Sequence, residues 1–154
     1  MLDSDMGRLR SAFEVAAQAR EHGNDAFGAI LVSAEGEPLL AAENSVVTQH
    51  DVIGHAEINL VRAVTKVHPP EVLKTCTLYS SAEPCPMCAA SIVWANIRRV
   101  VFGLGMDAIY EMFGDAPSDS PSLRMHARVV FEAAPWPLEV IGPVLEDEAR
   151  KPFG

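Results

Sequence analysis

Positive charge is scarce in this sequence. Only 12 Lys and Arg stand against 21 Asp and Glu, a formal net charge of −9. A field of that sign repels phosphate backbones, so a polynucleotide partner would need a local basic patch. The compact candidates are Arg98-Arg99 and the scattered Arg124, His126 and Arg128. Cysteine is scarcer still. Three cysteines, an odd number in a chain expected in a reducing compartment, argue against a disulfide framework and leave metal binding or packing as the uses of sulfur. There is no long apolar run. The N-terminal "MLDSDMGRLRSAFEVAAQAREHG" starts acidic and turns amphipathic, which fits neither a signal peptide nor a membrane span, so the expected location is the cytoplasm and no membrane partner is expected. Nothing repeats at a fixed period.

What is present suits one folded unit. With 154 residues, 49% of them hydrophobic, a single domain over 1–154 is expected. Residues 3–22 read as a helix that Asp3, Ser4 or Asp5 can cap, with Leu9, Phe13, Ala16 and Ala17 on one face and Gly23 at its end. "AFGAILVSA" and "LLAAENSVV" flank the turn "EGEP" as a hairpin. "HAEINLVRAVTKV" has helical spacing, with Ile58, Val61 and Thr65 on one side, and "HPP" stops it. "TCTLYSS" is a strand, "CPMCAASIVWA" a helix and "RRVVFGLG" a strand buried on both faces. Strands alternating with helices predict a layered α/β sheet. Residues 106–134 read as two short helices around a polar loop, "LEVIG" as a last strand, and "PVLEDEARK" as a helix with Pro143 near its start.

Two of the three cysteines fall in "PCPMC" at 84–88. A CxxC at a strand-to-helix junction suits thiol redox chemistry, but that chemistry has no use for a distant His-Ala-Glu. A structural zinc site wants a fourth Cys or His, and Cys76 lies in a strand where a buried hydrophobe is expected. The third reading is catalytic zinc held by His55, Cys85 and Cys88 with one position open. Pro84 and Pro86 rigidify the start of the helix, so Cys85 and Cys88, three apart, point the same way. His55 and Glu57 are two apart, which would separate them in mid-helix; both reach one space only if His55 sits at the helix start. "HAE" at 55–57 with "PCPMC" completes the H-x-E…P-C-x-x-C signature of zinc deaminases, in which such a metal activates water and the glutamate, here Glu57, transfers protons.

The sequence resembles the cytidine deaminase-like superfamily, in the branch of bacterial guanine deaminases, fungal-type cytosine deaminases and tRNA adenosine deaminases. The resemblance runs through "AFGAILV", "GHAEINLVRA", "TLYSSAEPCPMCAASIVWANIRRVVFG" and "LEVIGPVLEDEA". It implies a three-layer α/β/α fold with a five-stranded mixed sheet, helices on both faces, and a homodimer. It also implies one Zn2+ per chain on His55, Cys85 and Cys88, and Glu57 as proton shuttle. By the same resemblance Asn44 bonds the substrate base, Phe27 covers it, and the amides of Ala56 and Glu83 line the pocket. Trp94 looks like part of the "YWA" of guanine deaminases, and Asp115, then Asp107, match an aspartate that contacts the purine amine. "DVIGHAE" in place of "DPTAHAE", and a C-terminal "RKPFG" without tyrosine, depart from the guanine pattern. The expected substrate is a small nucleobase or nucleoside, guanine first, rather than nucleic acid. The alternatives are a cytosine, nucleoside or triazine deaminase, a tRNA adenosine deaminase and a non-enzymatic zinc module.

Overall fold

The computed structural model describes residues 1–114 and 122–154. The chain runs α1 (Asp3–Glu21), β1 (Gly28–Val32), β2 (Pro38–Glu43), α2 (Val46–Gln49), α3 (Ala56–Val67), α4 (Pro70–Leu73) and β3 (Thr77–Ala82). It continues through α5 (Pro86–Trp94), β4 (Arg99–Leu104), α6 (Met106–Phe113), α7 (Ala127–Glu132), β5 (Glu139–Ile141) and α8 (Glu146–Arg150), and a 3-10 turn at Lys151–Phe153 follows. The five strands form one sheet in the order β2-β1-β3-β4-β5. β1 is antiparallel to β2 and to β3, while β3, β4 and β5 run parallel. The result is the three-layer α/β/α architecture with a mixed sheet.

Strand alternation divides the interior into two cores. Ala29, Leu31, Leu78 and Val100 face a layer built from α3, α5 and α7, where Leu60, Val64, Ala89, Ile92 and Phe131 are buried. Ile30, Val32, Tyr79 and Val101 face the other layer, where Leu9, Ala12 and Phe13 of α1 pack with Ala108 and Ala149. α1 lies so close to β1 that a Cβ on Gly28 would stand 2.5 Å from the Ala16 nitrogen and 2.8 Å from the Ala12 oxygen. Only a residue without a side chain permits that approach.

Some expected details shift. The buried face of α3 carries Ala56, Glu57, Leu60 and Val64, with Val61 partly buried against the same core, while Thr65 is exposed. The stripe is set by the need to turn Glu57 inward at the first turn, and the i, i+4 neighbours follow it. Asp5 does more than cap α1. Its buried carboxylate accepts the Leu2 N–H at 2.8 Å, the Tyr79 hydroxyl at 2.6 Å and both Arg99 amino groups at 2.9 and 2.7 Å. Cys76 is buried just before β3, and its thiol donates to the Val72 carbonyl at 3.3 Å. α8 starts at Glu146, three residues after Pro143.

Candidate active site

One end of the sheet supplies the site. β1 begins and β2 ends there, which puts Phe27 and Asn44 side by side; the Asn44 N–H donates to the Phe27 carbonyl at 3.0 Å. β3 and β4 both finish at that end, leading into Glu83-Pro84-Cys85 and into α6.

His55 and Cys85 are the residues preceding α3 and α5, both in extended backbone conformation, so each side chain projects off a helix start toward the other. Pro86 at the first turn of α5 has no N–H to leave unsatisfied. The loop before His55 is stitched by Asn59, one turn into α3, whose amide donates to the Glu43 carbonyl and Ser45 hydroxyl at 2.9 Å each. Asn59 was not anticipated from sequence, because its partners lie 14 and 16 residues away.

The Nδ1 of His55 lies 3.5 Å from Cys85 Sγ and 3.5 Å from Cys88 Sγ, and the three ligand atoms fall within 4.8 Å of one another. With Zn–S of about 2.3 Å and Zn–N of about 2.0 Å, a tetrahedral site has S···N edges of about 3.5 Å. The observed trio therefore fits three corners of a zinc tetrahedron. Among the described residues no fourth His, Cys, Asp or Glu joins it. The Cys88 thiol and His55 draw the Cys85 thiol down to about 4, the direction that favours the metal-binding thiolate. Cys85 in turn raises His55. The hydrogen bond with Cys85 and deeper burial push the Cys88 thiol up.

Glu57 is only 6% exposed. Burial first, then the neighbouring Cys85 charge, push its carboxyl up to about 7. A carboxyl poised near neutrality can both take and return a proton.

These groups open on a cavity of about 300 Å³ that also meets Asp25, Phe27, Asn44 and Tyr110. The Asn44 amide oxygen accepts the Val46 N–H at 3.0 Å, which fixes the orientation of its side chain beside the cavity. Phe27 packs edge-on against Phe153, ring centres 5.4 Å apart. Asp25 and Tyr110 were not anticipated; only the folding of the strand start and α6 over the ligands brings them there.

The remaining candidates fall elsewhere. Ala56 is fully buried behind His55 and does not reach the cavity wall. The Glu83 amide is not available to a ligand, because it donates to the Leu104 carbonyl at 2.7 Å. Trp94 closes α5 on the outer surface, 90% exposed, beside Val93, Val130 and Trp136 and away from the cavity. Asp107 is exposed and pairs with His126 at 3.4 Å. Asp115 lies outside the described residues.

The region described as the cytidine and deoxycytidylate deaminase zinc-binding region matches residues 3–104. The chain belongs to that family. The deaminase is 39% identical over 150 residues to a probable cytosine deaminase of Schizosaccharomyces pombe, covering 97% of this chain and 90% of that protein. It is 32% identical over 140 residues to a tRNA-specific adenosine deaminase of Bacillus subtilis, covering 91% and 80%. The crystal structure of a guanine deaminase from Bacillus subtilis superimposes with a TM-score of 0.64 at 27% identity, covering 99% of this chain and 92% of that one. Family, ligand trio and buried glutamate together make the deaminase a hydrolytic metalloenzyme of the zinc-dependent kind, with chemistry directed at an amidine-like amine.

Proposed function

We propose that this deaminase hydrolyses a free nucleobase whose amino-bearing ring carbon lies one ring nitrogen away from a carbonyl, guanine first, giving xanthine and ammonia. The observation that carries the reading is the cavity over His55, Cys85 and Glu57. At about 300 Å³ it is at the small end of ligand pockets, and no Lys or Arg is among its described lining residues. A phosphate would meet Asp25, Glu57 and Glu83 there and, among the described lining residues, no Lys or Arg. The basic clusters seen in the sequence are engaged within the chain: Arg98 stacks on Trp136 at 4.4 Å, Arg99 binds Asp5, and Arg128 donates to the carbonyls of Val140 and Gly142. That argues against transfer RNA.

In this mechanism His55, Cys85 and Cys88 would hold one zinc per chain, which would supply Lewis-acid activation of water. Glu57 takes a proton from the attacking water as its oxygen bonds to the amino-bearing carbon, and delivers it to the adjacent ring nitrogen. A second transfer through Glu57 protonates the amine, the C–N bond breaks and ammonia leaves. Asn44 Nδ2 donates to the ring carbonyl, and Phe27 covers the ring. We further propose a homodimer, since Trp94 stands 90% exposed at the end of α5 beside Val93, Val130 and Trp136, and a reducing, cytoplasmic setting in keeping with three unpaired cysteines.

Cytosine is the second reading, favoured by the 39% identity to the Schizosaccharomyces protein along nearly all of this chain. Ammonia release measured over guanine, cytosine, their nucleosides and transfer RNA tests both. Free guanine is expected to be fastest. Turnover confined to transfer RNA would overturn the free-base reading, and fastest turnover of cytosine would move the assignment to the second.

A further inference from the structure

Glu83 is a buried carboxylate that the proton relay leaves unused. It stands two residues before Cys85, and its backbone N–H is fixed to the end of β4 through the Leu104 carbonyl. Its two oxygens go to different helices. One accepts the Met106 N–H at 2.9 Å, at the first residue of α6; the other accepts the Ala127 N–H at 2.8 Å, at the first residue of α7. His126 Nδ1 lies 3.1 Å from the second oxygen, and its Nε2 lies 3.4 Å from Asp107. Helix starts present N–H groups without intrahelical partners and the positive end of the dipole. A buried anion shared by two such starts satisfies both and has its own charge balanced in return.

The starts of α6 and α7 therefore meet at one carboxylate. Met106, Ile109 and Tyr110 of α6 and Leu123, ahead of α7, form one wall of the cavity, and Arg124 lies over the Tyr110 ring at 4.3 Å. We propose that Glu83 is a positioning residue that sets the height of this wall above the zinc ligands, so that the fit of the substrate base is controlled through it. The proposal rests on the free-base reading for its kinetic consequence, though not for its structural one. A glutamine at 83 has one acceptor oxygen, and its NH2 group would face the second helix's N–H as donor against donor.

The test uses the full-length, zinc-loaded protein carrying Glu83→Gln. It measures zinc content, steady-state kinetics on whichever base the unsubstituted protein turns over, and amide hydrogen exchange. The expected result is full zinc, KM raised about tenfold or more, the loss of one charge-assisted hydrogen bond, with kcat nearly unchanged. Exchange should quicken in 106–113 and 127–132 while α3 and α5 stay protected. Ala127→Pro deletes one donor at a helix position that accepts proline, after a residue already extended, and should show the same pattern in milder form if Glu83→Gln does not fold. A fall in kcat with KM unchanged would make Glu83 a proton-transfer group and overturn the proposal. Unchanged KM and unchanged exchange would overturn it as well. If no free base is turned over, the free-base reading fails, and the exchange measurement alone decides the role of Glu83.

Discussion

Burying a carboxylate removes the water that stabilises its charge, and Glu57 has lost nearly all of it. A carboxyl raised toward neutrality in this way suits the proton relay proposed for it. Glu57→Gln keeps the shape and removes the base, so zinc content should stay at one per chain while turnover drops by about 10²-fold or more. Metal analysis beside an ammonia assay checks this, and near-normal turnover would refute the relay. Cys85→Ser should lose zinc and Cys76→Ser keep it, because the Cys76 thiol points to the Val72 carbonyl rather than to the trio. Retention by the first variant with loss by the second would overturn the ligand set. His55, Glu57, Cys85 and Cys88 were legible in the sequence because each pair is locked by a helix start, where spacing alone dictates direction. Asp25 and Tyr110 were not, since nothing near them in sequence announces the cavity. Trp94 had a neighbourhood that looked right, but as the last residue of α5 it points outward.

At the scale of elements, α1 is held by a charge as well as by its apolar stripe. Asp5 is fully buried and Arg99 mostly so, with a bidentate bond between them and Glu139 on the other side of the guanidinium. Arg99, with help from Tyr79 and the Leu2 amide, holds the Asp5 carboxyl well below the usual carboxylate range. A carboxyl depressed on folding adds stability that is complete above its unfolded value of about 4 and fades as pH falls toward the folded value. Thermal stability should therefore fall progressively below about pH 4. Asp5→Asn should remove part of that dependence and cost about 3 kcal/mol at neutral pH. A melting curve unchanged by the substitution at pH 7 would show that the pair contributes nothing. The strands of the site were readable as apolar runs bounded by turn signals and its helices from their start and stop signals, whereas this pairing joins residues 94 apart in the chain and leaves no local trace.

For the whole molecule, the exposed ring of Trp94 is the feature on which the proposed dimer rests. Light scattering is expected to give twice the 16.6 kDa of one chain, and Trp94→Glu to move the mass toward a monomer. A single-chain mass for the unsubstituted protein at micromolar concentration would remove the dimer. The ligand trio has a different bearing on the molecule when counted along the chain. His55 and Cys85 are separated by 30 positions, and His55 and Cys88 by 33. The intervening stretch holds α3, α4 and β3, so a metal bound to all three residues would tie together the starts of α3 and α5, two helices of the same outer layer. Treated as a cross-link, a closed loop of that size lowers the entropy of the unfolded chain by an amount worth about 3.6 kcal/mol. The same three side chains that present a reactive centre thus act as a topological fastener, one that needs no oxidant to form and that opens on chelation rather than reduction.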